Sequence, residues 1–233
     1  MEARPDEPRT EPRSALLVGA TGLVGSHCLT RLLAEPAYER VTVLSRRPLG
    51  REHERLSEHL VNFERLEEHT DWVRGDDLYC CLGTTIKQAG SQAAFRHVDH
   101  DLVLNVARLA QENGARRLAL VSSVGAAPEA RNFYLRTKGE TERDVAGLGY
   151  DCLEVFRPSF LVGEREAPRL GERLGIGLTS TIARAFVGPL RRFRPIEADQ
   201  VAAAMVAALR RGEPGVRLRT HAEIVQLAAL AAA

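Results

Sequence analysis

The chain contains little lysine, little net charge and no long apolar run. Only Lys87 and Lys138 are lysines among 32 basic residues, so arginine is used almost everywhere else. The 31 acidic residues leave a net charge of +1, which gives no indication of a nucleic-acid partner. No apolar stretch approaches the roughly 20 residues that a membrane-spanning helix needs. We therefore expect a globular protein without membrane insertion.

The cysteines show neither a CxxC spacing nor a cluster with histidine of the zinc-binding type. Cys80 and Cys81 are adjacent within an apolar run, so in a strand their side chains would point to opposite faces. Free cysteine is among the most buried residue types. We expect Cys28, Cys80, Cys81 and Cys152 to pack as free thiols, with no metal site. Free thiols are typical of a reducing compartment, which favours a cytoplasmic location.

The start of the chain differs in composition from the rest. Residues 1–13 are dominated by proline and charge and contain no apolar core of a signal peptide. We predict that they form a disordered tail, because they offer nothing to bury. Residues 14–233 suffice for one well-packed domain and are few for two.

From Ala15 onward, short apolar runs alternate with longer helical patterns. The predicted helices are Leu23–Leu33, Ala93–Asn113, Leu135–Leu148 and Ala198–Leu209. The predicted strands are continuous apolar runs, as expected when both faces are covered: Ala15–Val18, Val41–Leu44, Asp77–Leu82, Arg117–Val121 and Cys152–Phe156. This alternation predicts an α/β fold, a doubly wound parallel Rossmann sheet with helices on both faces. Residues 158–233 are expected to add a small C-terminal cap on the substrate side.

A glycine loop joins the first strand to the first helix. It has the spacing G-x-x-G-x-x-G and comprises Gly19, Ala20, Thr21, Gly22, Leu23, Val24 and Gly25. In such a loop the first glycine permits a tight turn, the second lets the backbone approach a pyrophosphate, and the third lets the helix pack on the strand. The helix then points its free N–H groups at the phosphates. We interpret the loop as dinucleotide-binding, with a purely structural turn as the alternative.

The end of the second strand indicates which dinucleotide is bound. NAD-selective sites carry Asp or Glu about 20 residues beyond the last glycine, where the carboxylate holds the ribose hydroxyls. Here that position holds Ser45, followed by Arg46 and Arg47. This run contains no carboxylate, which would repel a 2′-phosphate, and it contains two guanidinium groups that can bind one. We predict NADP(H), with NAD as the alternative; two solvated turn arginines would explain the same residues without a cofactor.

One of the two lysines follows a tyrosine by four residues. Tyr134 and Lys138 therefore share one face of a predicted helix, a spacing expected by chance only about 0.03 times in such a sequence. A tyrosine phenol titrates near pH 10 and exchanges protons near neutrality more readily beside a cation. A compact ammonium can serve as that cation while it also holds ribose hydroxyls. The pair predicts proton-transfer chemistry, with an ordinary exposed pair as the alternative.

Two serines end the strand upstream of this pair. Ser122 and Ser123 follow Arg117–Val121, so they are expected at the mouth of the sheet. A serine hydroxyl there could polarise a substrate carbonyl together with the tyrosine. We prefer Ser123, because Ser122 is expected to lie still within the strand. Either serine could instead cap a turn.

These motifs occur in the order that is typical of the short-chain dehydrogenases/reductases. From about Ala15 to Gly163 the chain resembles their atypical, NmrA-like and extended-type branch, and most of all the Tat-interacting-protein group of NADPH-binding proteins. The resemblance implies hydride-transfer chemistry at Ser123, Tyr134 and Lys138. It also implies a cofactor lining formed by the glycine loop, by Cys81, Leu82, Gly83 and Thr84, by Ser122, and by Pro158, Ser159, Phe160 and Leu161.

The chain departs from that family at two points. Asp99 occupies the helix position where many relatives carry a catalytic asparagine, which puts the usual proton relay in doubt. The C-terminal region is short for a sugar-nucleotide epimerase. His97 and His100 flank Asp99; because no further ligand is obvious, we expect a solvated helix face there and not a zinc site.

We therefore expect an NADP(H)-dependent oxidoreductase that acts on a small carbonyl or alcohol substrate. One alternative is an NADPH-binding redox sensor that changes its contacts with a protein partner and does not turn over. Another is an epimerase or dehydratase-like enzyme that returns the hydride to its substrate. The intact Tyr134 and Lys138 pair favours an enzyme. A homodimer or a protein partner is compatible with each alternative.

Overall fold

A seven-stranded parallel sheet forms the centre of the fold. A computed structural model of the chain describes residues 12–163 and 194–231. The strands occur in the order β3-β2-β1-β4-β5-β6-β9, and every adjacent pair is parallel. They are β1 (Arg13–Val18), β2 (Tyr38–Ser45), β3 (Leu56–Leu60), β4 (Asp77–Cys80), β5 (Arg117–Val121), β6 (Cys152–Phe156) and β9 (Gly215–Arg219). A separate small sheet pairs β7 (Leu161–Val162) with β8 (Ile196–Glu197).

Helices cover both faces of the sheet. They are α1 (Leu23–Ala34), α2 (Ile86–Ala89), α3 (Gln92–Arg96), α4 (Leu102–Glu112), α5 (Phe133–Ala146), α6 (Ala198–Arg211) and α7 (His221–Leu230). One buried core joins α1, α6 and α7 to the sheet, and a second core lies between the opposite face and α4, α5 and a 3-10 segment, Phe63–Trp72. The predicted doubly wound Rossmann fold is confirmed.

The strand order reverses between β1 and β4. The chain moves outward from β1 through β2 to β3, returns to β4 on the other side of β1, and continues through β5 and β6. In doubly wound sheets, ligands bind at the carboxyl ends of the strands where the order reverses. Since all seven strands are parallel, every loop that follows a strand emerges at this edge. The candidate motifs that follow β1, β2, β4, β5 and β6 are therefore neighbours.

All five predicted strands are present, and two further strands of the main sheet were not predicted. The unpredicted strands, β3 and β9, are the two edges of the sheet. Each is polar and partly exposed, because an edge strand is not covered as completely as a central one. The apolar-run criterion therefore recognises only the central strands.

The helix predicted over Ala93–Asn113 is interrupted. A π turn, His97–Asp101, separates α3 from α4. The extra residue in this turn rotates Asp99 and His100 inward, where they are 0% and 7% exposed. The expectation that these residues lie on a solvated helix face is therefore wrong for both. His97 remains partly exposed and contacts Glu64 through Nε2 at 2.5 Å.

The described residues 194–231 of the C-terminal region are mostly part of the main body. Helix α6 packs against α1, and β9 extends the sheet beside β6, so residues 198–231 differ from the predicted cap. Nine buried side chains of the alanine-rich α6 explain the difference, because small residues allow close helix packing. Arg13 also differs from the prediction: it is buried within β1, not part of a tail. The rest of the predicted tail, 1–11, and the cap residues 164–193, 232 and 233 lie outside the described residues.

Candidate active site

The glycine loop has the close packing that its spacing predicts. Gly19 has a φ of +82°, and a Cβ there would lie 2.4 Å from the backbone oxygen of Cys81. A Cβ at Gly25 would lie 2.1 Å from the oxygen of Gly19. Helix α1 begins directly after Gly22, with no side-chain cap and no acidic residue in its first turn. The amino end of α1 is therefore sterically and electrostatically open to an anion.

We predict that Gly25→Ala disrupts this loop. The added methyl group would overlap the Gly19 carbonyl, so the loop or α1 must move. We expect an unfolding free energy lower by about 1–3 kcal/mol, measured by chemical denaturation, and a large loss of dinucleotide affinity. Gly147→Ala is the control. A Cβ at Gly147 would lie 3.3 Å from its nearest neighbour, the Asp144 carbonyl oxygen, and its φ of −71° suits any residue. Equal behaviour of the two variants would contradict the packing role of Gly25.

The turn after β2 leaves both arginines available. Ser45 is buried, and its hydroxyl donates to the Arg47 carbonyl at 2.8 Å, with Glu58 Oε1 3.1 Å away. The same Glu58 oxygen accepts the Leu49 N–H at 2.9 Å. Arg46 and Arg47 are exposed and form no ion pair with any other described residue. Glu58 thus fixes the turn, while the two guanidinium groups face solvent.

An uncharged cysteine pair joins the end of β4 to the loop that follows it. Hydrogen bonding to Cys28 and burial hold the pKa of Cys81 well above its usual range, and burial raises the pKa of Cys80 to about 12. All four cysteines are free thiols, as the sequence predicted. Because the thiolate is the reactive form, these residues contribute packing and not nucleophilic chemistry.

Lys138 forms a buried ion pair beside this loop. Its Nζ lies 2.7 Å from Asp99 Oδ1, and the two side chains are 7% and 0% exposed. The other Asp99 oxygen accepts the Thr84 N–H at 2.8 Å. A Cβ at Gly83 would lie 3.3 Å from Asp99 Oδ1 and 3.6 Å from Lys138 Nζ, so glycine leaves room for the pair. Asp99 therefore connects α5 to the loop after β4.

The pKa of Lys138 reflects its burial and its charged neighbours. Burial alone lowers the pKa, but attraction to Asp99 and to Tyr134 outweighs it and raises the pKa above its ordinary value. Lys138 is therefore a cation throughout the physiological pH range. Tyr134 is partly exposed one turn earlier on α5, with its ring 5.3 Å from the Phe95 ring. Helix α3 thus supports the Tyr134 ring through Phe95, and the side chain stays partly exposed.

The two serines after β5 have different surroundings. Ser122 is buried, and its hydroxyl donates to Glu142, which also pairs with Arg157. Ser123 is partly exposed, and its hydroxyl has no hydrogen-bond partner among residues 12–163 and 194–231. Ser123 is thus available to a ligand, while Ser122 is engaged in the protein. The catalytic role of Ser123 stays a prediction.

We predict that Glu142→Gln destabilises the fold. The neutral amide would leave the Arg157 guanidinium, 24% exposed, without a compensating charge. We expect an unfolding free energy lower by about 2–4 kcal/mol in urea denaturation. Glu140→Gln on the same helix is the control, since its Arg96 partner is 41% exposed and such pairs contribute about 1 kcal/mol or less. Equal losses in both variants would contradict a special role of the buried pair.

The segment after β6 borders the site through its backbone. Pro158 is buried, and its carbonyl accepts the Val124 N–H at 2.9 Å, so this segment joins the exit of β5. The Ser159 hydroxyl donates to the Arg194 carbonyl, and Leu161 belongs to β7. Phe160 is 64% exposed. The hydroxyl of Ser159 is thus engaged in the protein, whereas the Phe160 ring is free to contact a ligand.

Three charged residues near the site carry no sequence motif. Glu58 is on an unpredicted edge strand, and Glu142 and Arg157 pair across 15 positions of sequence. The only sequence signal for them is a charged residue at a position where the pattern predicts an apolar one, which is uncommon in buried elements. Among residues 12–163 and 194–231 no group of three or more metal-ligating side chains occurs, and no helix is long and apolar enough to cross a membrane.

These features define a Rossmann-type dinucleotide-binding protein. A phosphorylated dinucleotide fits the cradle that a Cβ would fill at Gly19 and Gly25, the open amino end of α1 and the exposed Arg46 and Arg47. Comparison with family models matches residues 15–225 to the NAD dependent epimerase/dehydratase family. The chain belongs to this family, and the prediction of a nicotinamide cofactor is confirmed at that level.

Curated relatives support the same assignment. The chain is 37% identical over 186 residues to Protein HTATIP2 of Rattus norvegicus, covering 78% of this chain and 73% of the relative. It is 34% identical over 222 residues to the mitochondrial protein FMP52 of Eremothecium gossypii, covering 92% and 96%. The resemblance to the Tat-interacting-protein group is thereby confirmed.

Solved structures share the fold at low identity. A complex of MoeE5 with UDP-glucose and NAD has a TM-score of 0.65 at 16% identity, covering 93% of this chain and 81% of that one. A UDP-glucose 4-epimerase from Thermotoga maritima with UDP-glucose also has a TM-score of 0.65 at 16% identity, covering 94% and 81%. At such identities the comparison establishes the fold alone.

Proposed function

We propose that this protein is an NADP(H)-dependent oxidoreductase that interconverts a small carbonyl compound and its alcohol. The observation that carries the proposal is the buried Lys138–Asp99 pair, which fixes an ammonium one helical turn from Tyr134. Burial of a lysine ammonium costs stability unless an opposite charge or a ligand compensates the lost hydration. In this chain, where arginine is otherwise preferred, the presence of a buried lysine at this position supports a catalytic role for the helix.

Each proposed residue has one task. Tyr134 donates a proton to the carbonyl oxygen in the reductive direction and accepts it in the oxidative direction. Ser123 donates a hydrogen bond to the same oxygen, and Lys138 holds the ribose hydroxyls with the two ammonium protons that Asp99 does not use. The nicotinamide supplies or accepts the hydride when it is bound. The partly exposed Tyr134 and Ser123 are thus the residues proposed to contact the substrate.

The proposed cofactor preference is for NADP(H) over NAD(H). Arg46 and Arg47 are exposed and can receive a 2′-phosphate, and Glu58 Oε1, which lies nearby, accepts the Leu49 N–H. The glycine loop and α1 would hold the pyrophosphate. The proposed lining also includes Cys81–Thr84 and the backbone of Pro158–Leu161.

Two other functions remain as alternatives. An epimerase or dehydratase is supported by the names of the family and of its solved neighbours. A cofactor sensor is also compatible with the site, because no feature described there requires turnover. For the location of the protein we propose the cytoplasm, on its free thiols, with mitochondria as the second candidate because the fungal relatives are named mitochondrial.

The proposed function is tested by measuring hydride transfer from NADPH to a substrate. Purified protein is incubated with NADPH deuterated at nicotinamide C4, in each stereochemical form, and a panel of small aldehydes and ketones. We expect one deuterium in the product alcohol from one of the two forms and none from the other, with one equivalent of NADP⁺ from each, by mass spectrometry and absorbance. An epimerase would rearrange its substrate without net cofactor oxidation. Bound NADPH without transfer to any substrate, including sugar nucleotides, would support the sensor.

A further inference from the structure

The Lys138–Asp99 pair places two opposite charges side by side at the proposed nicotinamide end of the site. Asp99 is completely buried and Lys138 nearly so. Around Lys138, the groups that interact electrostatically with its ammonium are Asp99 on the π turn, Tyr134 on its own helix and Cys80 at the end of β4. The thiol of Cys80 is neutral, because burial raises its pKa to about 12. Asp99 is therefore the one carboxylate among these groups in the part of the chain that the structure describes.

Asp99 is also held rigidly. Its second oxygen accepts the Thr84 N–H at 2.8 Å, and its backbone carbonyl accepts the Thr141 hydroxyl at 2.9 Å. The π turn that places it inward is an interruption of the kind that often marks functional sites. Thr84 and Lys138 thus hold the two carboxylate oxygens of Asp99, and Thr141 holds its backbone.

We propose that Asp99 is a positioning residue that sets the oxidation-state preference of the cofactor site, by cancelling the charge of Lys138. The inference rests on the proposed function, in which Lys138 holds the ribose next to the nicotinamide. The oxidised nicotinamide carries one more positive charge than the reduced form. An uncompensated ammonium would repel the oxidised form, while a neutral pair admits both. An asparagine at this position would leave the ammonium uncompensated.

The test is the ratio of two equilibrium dissociation constants, Kd for NADP⁺ divided by Kd for NADPH, measured by calorimetry without substrate. We expect Asp99→Asn to raise this ratio roughly five- to twentyfold, the effect of one unit charge across several ångströms of protein. The combined variant Asp99→Asn with Lys138→Gln removes both charges. Its ratio should return to within about twofold of the parent value, even if both affinities are weaker.

Glu154→Gln is the matched control. Glu154 is also a buried carboxylate paired with a cation, Arg219, but it lies at the β6–β9 edge of the sheet. It should lose stability as Asp99→Asn does, with an unchanged ratio. Equal weakening of both oxidation states in Asp99→Asn would overturn the inference and assign Asp99 a structural role. A raised ratio that persists in the combined variant would overturn it too, because charge would not be the cause.

Failure of this inference differs from failure of the proposed function. If the parent protein binds neither NADP⁺ nor NADPH, the proposed oxidoreductase function is wrong. If it binds both and the ratio is unchanged by Asp99→Asn, only the role of Asp99 is wrong. If Asp99→Asn does not fold, the ratio in Lys138→Gln alone decides: we expect it to fall below the parent value, and a ratio that stays equal or rises overturns the inference.

Discussion

The variant Tyr134→Phe should lose turnover and keep its cofactor. Removal of the phenol hydroxyl takes away the proposed proton donor, and general acid–base groups contribute about 10²- to 10⁴-fold to rate. We expect kcat to fall by that amount for the substrate that the hydride-transfer assay identifies. The phenyl ring can keep its contact with Phe95, 5.3 Å away, so the fold and the NADPH affinity should change little.

Tyr150→Phe is the control for this experiment. Tyr150 is buried, and its hydroxyl donates to the Ala107 carbonyl at 2.6 Å, away from the site. Its removal should cost about 1 kcal/mol of stability and leave kcat unchanged. A fully active Tyr134→Phe enzyme would contradict the proton-transfer role. An equal loss of kcat in both variants would indicate general damage to the fold.

The double variant Arg46→Ala with Arg47→Ala should lose most of its affinity for NADPH. Hydrogen bonds from guanidinium to phosphate are charge-assisted and contribute about 1.5–3 kcal/mol each when formed, less when exposed. We expect the NADPH Kd to rise roughly 100-fold, and the NADH Kd to change less than about threefold, because NADH lacks the 2′-phosphate. Parallel calorimetric titrations with both cofactors measure the difference.

A second arginine pair controls for the loss of two positive charges. Arg210 and Arg211 are adjacent at the end of α6, and each is about half exposed. Their replacement by alanine should leave the affinity for both cofactors unchanged. Equal weakening of NADPH and NADH in the Arg46 and Arg47 variant would remove the phosphate-binding role. The site would then bind the part of the cofactor that both share.

The sequence was sufficient for the centre of the fold and insufficient for its edges. Central strands such as β1 and β5 are covered on both faces, so burial requires the continuous apolar runs that predicted them. The edge strands β3 and β9 have no such requirement and contain polar residues. Their positions depend on pairing with β2 and β6, which local sequence does not encode.

The candidate site shows a similar division. The residues with fixed spacing, such as the glycine loop and the Tyr134–Lys138 pair, could be proposed from sequence because one turn or one helix positions them. The Lys138–Asp99 contact joins positions 39 residues apart and depends on the inward rotation of the π turn. Sequence periodicity predicted an unbroken helix there and placed Asp99 on a solvated face. Contacts between distant elements require the three-dimensional arrangement.

The most direct test of the NADP(H) site is a calorimetric titration of the unmodified protein with NADPH and NADH in parallel. We predict one NADPH bound per chain, and an affinity for NADH at least roughly 50-fold weaker, as expected when two guanidinium groups bind the 2′-phosphate. Equal or tighter binding of NADH would contradict the assignment of Arg46 and Arg47. The absence of binding by either cofactor would contradict the oxidoreductase proposal as a whole.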